Sequence, residues 1–421
     1  MLIKKSYLFA LGIVMLTAMM QSCSKGDEGD YGEFSGDVVA DGDKAYTDSE
    51  YGEAGIGDVV PGEGGGEQGG NTQAGIVTAG EWCDLTNWPF WSGLMLGQEY
   101  GPKSDYWKFY TNNRIALHVT DNSGQAVAGV PVKLVRQTAD SGASTLWEAV
   151  TDNHGRAECW VGLYQKEKPD AQALSVYIDG ERMAQKPVIC TWDSLQQQAV
   201  NEYVITPQTA VEPSADIAFV VDATGSMQDE INFLKSDLVD IIGKAASVRP
   251  GTTMRTAALF YRDEGDEYLT RHSDFTKKLS ETADFVNKQR ADGGGDYPEA
   301  VHTALEKMLQ NLSWNNRART RLAFLVLDAP AHYETDVITS LQASVRTCAR
   351  LGIRLIPVAA SGVDKNTEFM LRFFAIATGG TYVFITNDSG VGLDHIAASV
   401  GDYKVEQLND LIIRLIDQYT E

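Results

Sequence analysis

From about Glu212 to Glu421 the chain alternates between two periods. Apolar runs of strand length, IAFVVD, TAALFYR, RLAFLVLD, IRLIPVAA and TYVFIT, are separated by segments of helical spacing, MQDEINFLKSDLVDIIGKAAS, EAVHTALEKMLQNL and EFMLRFFAIA. A strand that is apolar at nearly every position is covered on both faces, and a helix between strands is the crossover that parallel pairing needs. The pattern predicts an α/β domain with a doubly wound, mostly parallel sheet over 212–421. Ligands of such sheets sit at the carboxyl ends of the strands, near the point where strand order reverses.

Two of those strands end in acid, and one further loop carries a pair. The first run closes on Asp222 and continues A-T-G-S, which puts hydroxyls at alternate positions, Thr224 and Ser226. GGGDYPEAVHTAL sets Asp296 and Glu299 ahead of a helix, where three glycines let the backbone bend closely around a ligand. FLVLDAPAH closes another run on Asp328. One carboxylate at a strand end is commonplace. Three such loops opening at one sheet edge provide the oxygen donors of mixed charge that a hard divalent cation takes.

DATGS resembles the first loop of the metal-ion-dependent adhesion site of von Willebrand factor A domains, Asp-x-Ser-x-Ser, with Thr224 replacing the first serine and keeping the hydroxyl. GDYPEA resembles the integrin-β form of the second loop, in which a glutamate after proline takes the place of the usual threonine. LVLDAPAH matches the aspartate that ends the fourth strand and binds through water. The resemblance covers roughly the last half of the chain. It implies direct oxygens from Asp222, Thr224, Ser226 and Glu299, a water-mediated contact from Asp328, a share for Asp296, and an open position for an acidic side chain on a protein partner. Two direct carboxylates neutralise more of the ion than one and weaken its pull on that acid. Mg2+ is the expected cofactor, with Ca2+ or Mn2+ as alternatives. The integrin-β likeness extends to an adjacent calcium held by Asp229 and Glu230, and to a third site where Asp263 joins Asp296 and Glu299. Against the adjacent site, acids in the first turn of a helix also complement its dipole.

An aspartate closing the first strand is similar to the nucleophile loop of haloacid-dehalogenase-like phosphatases, but that family wants a second aspartate where Thr224 stands. The sequence contains no HExxH, P-loop or GxSxG. His302 is expected on a helix face and His332 at the rim. The expectation is therefore a non-enzymatic, cation-dependent protein-binding role, with a phosphohydrolase as a remote alternative.

The first half is organised differently. Lys4 and Lys5 precede the short apolar stretch YLFALGIVMLTAMM, and MMQSC resembles a bacterial lipobox. This implies a signal peptide over 1–22, lipidation of Cys23, and an outer-membrane lipoprotein whose surface exposure SKGDEGD suggests. Residues 23–73, rich in glycine and acid and poor in large aliphatics, read as a disordered tether. A collar over 74–111 carries Trp82, Trp88, Trp91 and Trp107; it is expected to pack domains together, although aromatic faces also suit a glycan. Residues 112–205 show short alternating stretches with turns at DNSG, DNHG and DG, and predict a small all-β sandwich resembling immunoglobulin-like or carboxypeptidase-regulatory-like domains. Within it Cys159 and Cys190 could form a disulfide, and His118 and His154 look isolated. The formal net charge of −23 argues against nucleic acid or an anionic membrane as a partner of a general basic surface. Membrane attachment is expected only through Cys23.

Overall fold

The computed structural model describes residues 75–138, 142–193, 198–208, 210–295, 297–390 and 395–421. Cys23, the proposed signal peptide and the tether lie outside the described residues, as does Asp296; of Asp229 only the backbone is described.

The chain enters through β1 (Thr78–Trp82), followed by two short helices, α1 (Trp88–Leu96) and α2 (Gly101–Trp107). Seven strands follow: β2 (Arg114–Asp121), β3 (Pro131–Thr138), β4 (Gly142–Val150), β5 (Arg156–Trp160), β6 (Leu174–Ile178), β7 (Glu181–Arg182) and β8 (Val200–Ile205). They form two small sheets, ordered β5-β2-β8 and β4-β3-β6-β7. Ile115, Leu117 and Val119 of the first sheet and Val132, Leu134, Val176 and Ile178 of the second are buried in one cluster. The β2–β8 pair is parallel, a departure from a purely antiparallel sandwich.

The C-terminal region begins with β9 (Glu212–Asp222), α3 (Gln228–Val248), β10 (Thr253–Tyr261), β11 (Thr270–Thr276), α4 (Leu279–Asn287) and α5 (Val301–Asn311). It continues through β12 (Ala318–Leu327), α6 (Thr335–Leu351), β13 (Ile353–Ala359), α7 (Lys365–Thr378), β14 (Tyr382–Ile385), β15 (Glu406–Gln407) and α8 (Leu408–Thr420). The large sheet is ordered β11-β10-β9-β12-β13-β14-β1-β15. Its five inner strands, β10-β9-β12-β13-β14, pair in parallel, and β11 and β1 pair antiparallel. The expected doubly wound α/β sheet is what forms.

Each parallel strand divides its side chains between two cores, as the period of two requires. Ile217, Phe219 and Val221 of β9 face a core shared with α3, α4 and α8, whereas Ala218 and Val220 face one shared with α5, α6 and α7. The tryptophans Trp88, Trp91 and Trp107 join the second core with the small sheets.

Two sequence expectations change here. The sheet is not confined to residues after 212, because β1, 130 residues earlier in sequence by position, lies between β14 and β15. Nor is there a Cys159–Cys190 disulfide: both thiols are free and buried. Cys159 pairs with Ile115 on the β5 side of β2, and Cys190 bridges Arg114 on the opposite side, so β2 runs between them.

Candidate functional site

β9 delivers Asp222 to the carboxyl end of the sheet, fully buried, and the chain turns at once through ATGS. Asp222 Oδ1 accepts from the Thr224 backbone N–H at 2.9 Å and from the Thr224 hydroxyl at 2.7 Å. The Thr224 and Ser226 hydroxyl oxygens lie 3.2 Å apart. One aspartate oxygen thus shapes the turn. Its other oxygen, Oδ2, is buried without a hydrogen-bond partner.

The glycine loop closes on this turn through backbone contacts. Gly225 N–H donates to Gly293 O at 3.0 Å, and Asp292 N–H donates to Ala223 O at 3.0 Å. Gly294 has φ +73°, and a methyl group there would sit 3.2 Å from Glu299 Oε1 and 3.3 Å from Thr224 Cβ. That close approach in the left-handed region is why glycine stands at this position. Glu299 is anchored by its backbone N–H to Pro330 O at 2.8 Å, beside the loop that follows Asp328.

Glu299 and Asp328 are 2% and 5% exposed, and Glu299 Oε2 and Asp328 Oδ1 are likewise buried without partners. Three carboxyl groups therefore point unsatisfied oxygens into one region. Burial, followed by repulsion from Asp222 and Asp263, pushes Glu299 up to about 9. Burial raises Asp222 and Asp328 as well, with Asp263 adding to the first and Asp222 to the second. The hydroxyl of Thr224 lies close enough to Glu299, and that of Ser226 to Asp328, to ease their ionisation. All of these acids would be more stable beside a positive charge.

A pocket of about 580 Å3 opens above them, lined by Ser226, the three glycines, Tyr297, Glu299, Asp328, Ser361 and Gly362. Among the described residues, no three His, Cys, Asp or Glu side chains are grouped closely enough to hold an ion by themselves. The donor set here mixes carboxylates with hydroxyls, and its orphaned buried oxygens fit a hard cation.

The secondary acids are partly engaged with other groups, although Glu230 Oε2 is also buried without a partner and Asp263 acts on Glu299. Asp263 Oδ1 lies 2.8 Å from His332 Nε2. Glu230 is 2% exposed, accepts from Ser361 N–H at 3.0 Å, and has His395 Nε2 at 3.5 Å from the same oxygen. His302 is half-buried on α5, with burial lowering its pKa. His118 is not isolated, since its Nδ1 is 2.7 Å from Glu202; His154 Nε2 lies 3.2 Å from Asn153 Nδ2. Trp88, Trp91 and Trp107 are at most 1% exposed and pack against Trp160, Phe369 and Phe109, so they offer no ring face to a sugar.

Sequence reasoning missed Tyr297, Ser361 and Gly362 as pocket walls. Tyr297 stood inside the quoted GDYPEA, next to the expected ligands. Ser361 and Gly362 follow the IRLIPVAA run, a fourth strand end that carried no acid to flag it.

Residues 216–349 match the family model of the von Willebrand factor A domain. This part of the chain is a von Willebrand factor A domain. Among curated proteins, the chain is 30% identical over 132 residues to a putative ariadne-like RING finger protein of Acanthamoeba polyphaga mimivirus, covering 31% of this chain and 13% of that one. It is 31% identical over 119 residues to the alpha-protein kinase vwkA of Dictyostelium discoideum, covering 28% and 19%. The chain thus spans less than a fifth of the length of either relative. Solved structures that it resembles include a conserved hypothetical protein BatB from Bacteroides thetaiotaomicron, at 12% identity and TM-score 0.34, covering 49% of this chain and 98% of that one. Another is a von Willebrand factor type A protein from Catenulispora acidiphila, at 14% identity and TM-score 0.33, covering 50% and 42%. Von Willebrand factor A domains commonly mediate protein–protein interaction, are typically non-enzymatic and often bind a divalent cation.

Proposed function

We propose that the von Willebrand factor A domain binds a protein partner through a divalent cation held by Asp222, Thr224, Ser226, Glu299 and Asp328. The observation that carries this reading is the set of orphaned oxygens, Asp222 Oδ2, Glu299 Oε2 and Asp328 Oδ1, buried together under an open pocket. Leaving three such acceptors unpaired is costly, and a cation taken directly by Asp222 and Glu299 and through a bound water by Asp328 would relieve that cost. A bound divalent ion would supply a positive centre to which an acidic side chain of the partner could add. Thr224 fixes the Asp222 carboxylate, Gly294 lets Glu299 approach the turn, and Ser226, the exposed hydroxyl, faces the pocket. Cys23, as a lipid acceptor ahead of the acidic segment, would place this domain on the cell envelope.

Calorimetric titration of Mg2+, Ca2+ and Mn2+ into the full chain, beside Asp222→Ala, tests the proposal. Wild type is expected to bind one of these ions and the variant none. Absence of binding in both would refute it.

A further inference from the structure

Three exposed tyrosines lie around the N-terminal turn of α7, one of them in the wall of the acidic pocket. Tyr106 of α2 is 39% exposed, Tyr297 of the glycine loop 45%, and Tyr333 of the loop after β12 47%. Tyr106 and Tyr333 stack with ring centroids 3.8 Å apart and planes 16° from parallel. Tyr297 is a wall of the pocket, and its hydroxyl accepts from the Asp364 backbone N–H at 3.1 Å. The Asp364 carboxylate lies near enough to Tyr106 and Tyr297 to disfavour ionisation of both phenols, after the larger effect of burial. Tyr297 and α2 thus meet the same N-terminal turn of α7, through Thr367 and Asp364 on one side and Lys103–Asn366 on the other, which sets the tyrosine pair of the N-terminal segment on the flank of the pocket.

That surface is also negative. Glu334 and Asp336 are exposed immediately after Tyr333, and Asp364 is half-buried beside the rings. Among the described residues none of the three forms an ion pair. Asp364 instead caps α7, accepting from the Thr367 N–H and hydroxyl. Lys103, on the same helix as Tyr106, bonds the neutral Asn366 at 3.2 Å, so its charge offsets one of the three acids and leaves an excess of acid. Aromatic faces attract cations, and unpaired acids around them add to that attraction. A partner offering only acid would be drawn to the bound ion and repelled by the rest of this face.

We propose that the partner segment carries two charges of opposite sign: an acidic side chain for the cation site and, a few residues away, an arginine or lysine that lies on the Tyr106–Tyr333 pair. This rests on the cation-dependent reading above and adds the second anchor. Arginine is favoured because its planar guanidinium stacks on rings as well as pairing with carboxylates.

The probe is a series of capped peptides, one aspartate and one arginine separated by one to five glycines, with an arginine-free control, titrated into the full chain in saturating Mn2+. At the best spacing the arginine should tighten binding about fivefold, the size of a surface cation–π contact. Tyr333→Ala should abolish that gain and Tyr333→Phe should keep it. If the control binds in Mn2+ but no spacing improves on it, or if the gain survives Tyr333→Ala, the second anchor is refuted while the cation site stands. If the control shows no Mn2+-dependent binding, the cation reading fails and takes this inference with it.

Discussion

Two groups of buried charge lie in the large domain, and they are built on opposite terms. At the first, Arg372 of α7 is fully buried and donates from Nε and Nη2 to the two oxygens of Asp84 at 2.9 and 2.6 Å. Its Nη1 reaches Ser399 O at 2.6 Å and Glu368 at 3.4 Å, while Glu368 also takes the Ser399 N–H at 2.7 Å and the Lys365 ammonium at 2.8 Å. Trp82 Nε1 completes Asp84 at 3.0 Å. At the second, Asp222, Glu299 and Asp328 gather acid with acid and leave an oxygen each without a partner. Complete pairing makes the first cluster architecture, pinning the N-terminal segment to α7 and to the loop before β15. Incomplete pairing makes the second a candidate site, since the Thr224 and Ser226 hydroxyls offset only part of its charge and, among the described residues, none of its three acids forms an ion pair.

The contrast predicts effects of opposite sign. Arg372→Met strips the counter-charge from two buried carboxylates and should cost about 3–5 kcal/mol in equilibrium denaturation, with no change that a cation restores. At the acidic site the carboxyls are harder to ionise folded than unfolded. Glu299 rises from 4.5 to about 9, so between those values the folded chain holds protons that the unfolded chain has lost. Stability of the cation-free protein should therefore fall as pH climbs from about 4.5 toward about 9, and cation affinity should rise over the same window as the ligands lose their protons. Denaturation and titration series across that range check both signs. Asp222→Asn should raise cation-free stability, on the order of 1–2 kcal/mol, while removing cation binding. The smallest effect is expected at Gly294→Ala, which places a methyl in the left-handed region against Glu299 and should cost about 1 kcal/mol and several-fold in cation affinity.

The same contrast marks what the sequence made legible. Asp222, Glu299 and Asp328 could be placed at the sheet edge from the sequence because each adjoins a strongly periodic segment, whereas their grouping with Thr224 and Ser226 as one ligand set was implied by the resemblance rather than by the pattern. Strand β1 was not: TAGEW has five residues and mixed polarity, and its partner β14 lies some three hundred positions away. The Arg372–Asp84 pair was missed for the same reason, its members standing 288 positions apart. A signal existed nonetheless. Every residue of α7 from Thr367 to Thr378 is buried, and an arginine inside the apolar run EFMLRFFAIA requires a buried acid somewhere. The supposed Cys159–Cys190 bond failed because closeness within a predicted domain does not say which side of a strand each residue occupies.

Thermal denaturation of the full chain and of Asp222→Asn at pH 7.5, each in chelator and in excess Mn2+, tests the central claim most directly. The account predicts that Mn2+ stabilises wild type, by about 2.7 kcal/mol at a hundredfold excess over its Kd, and leaves Asp222→Asn unmoved. Equal midpoints for wild type in chelator and in Mn2+, or an equal rise in both proteins, would contradict it.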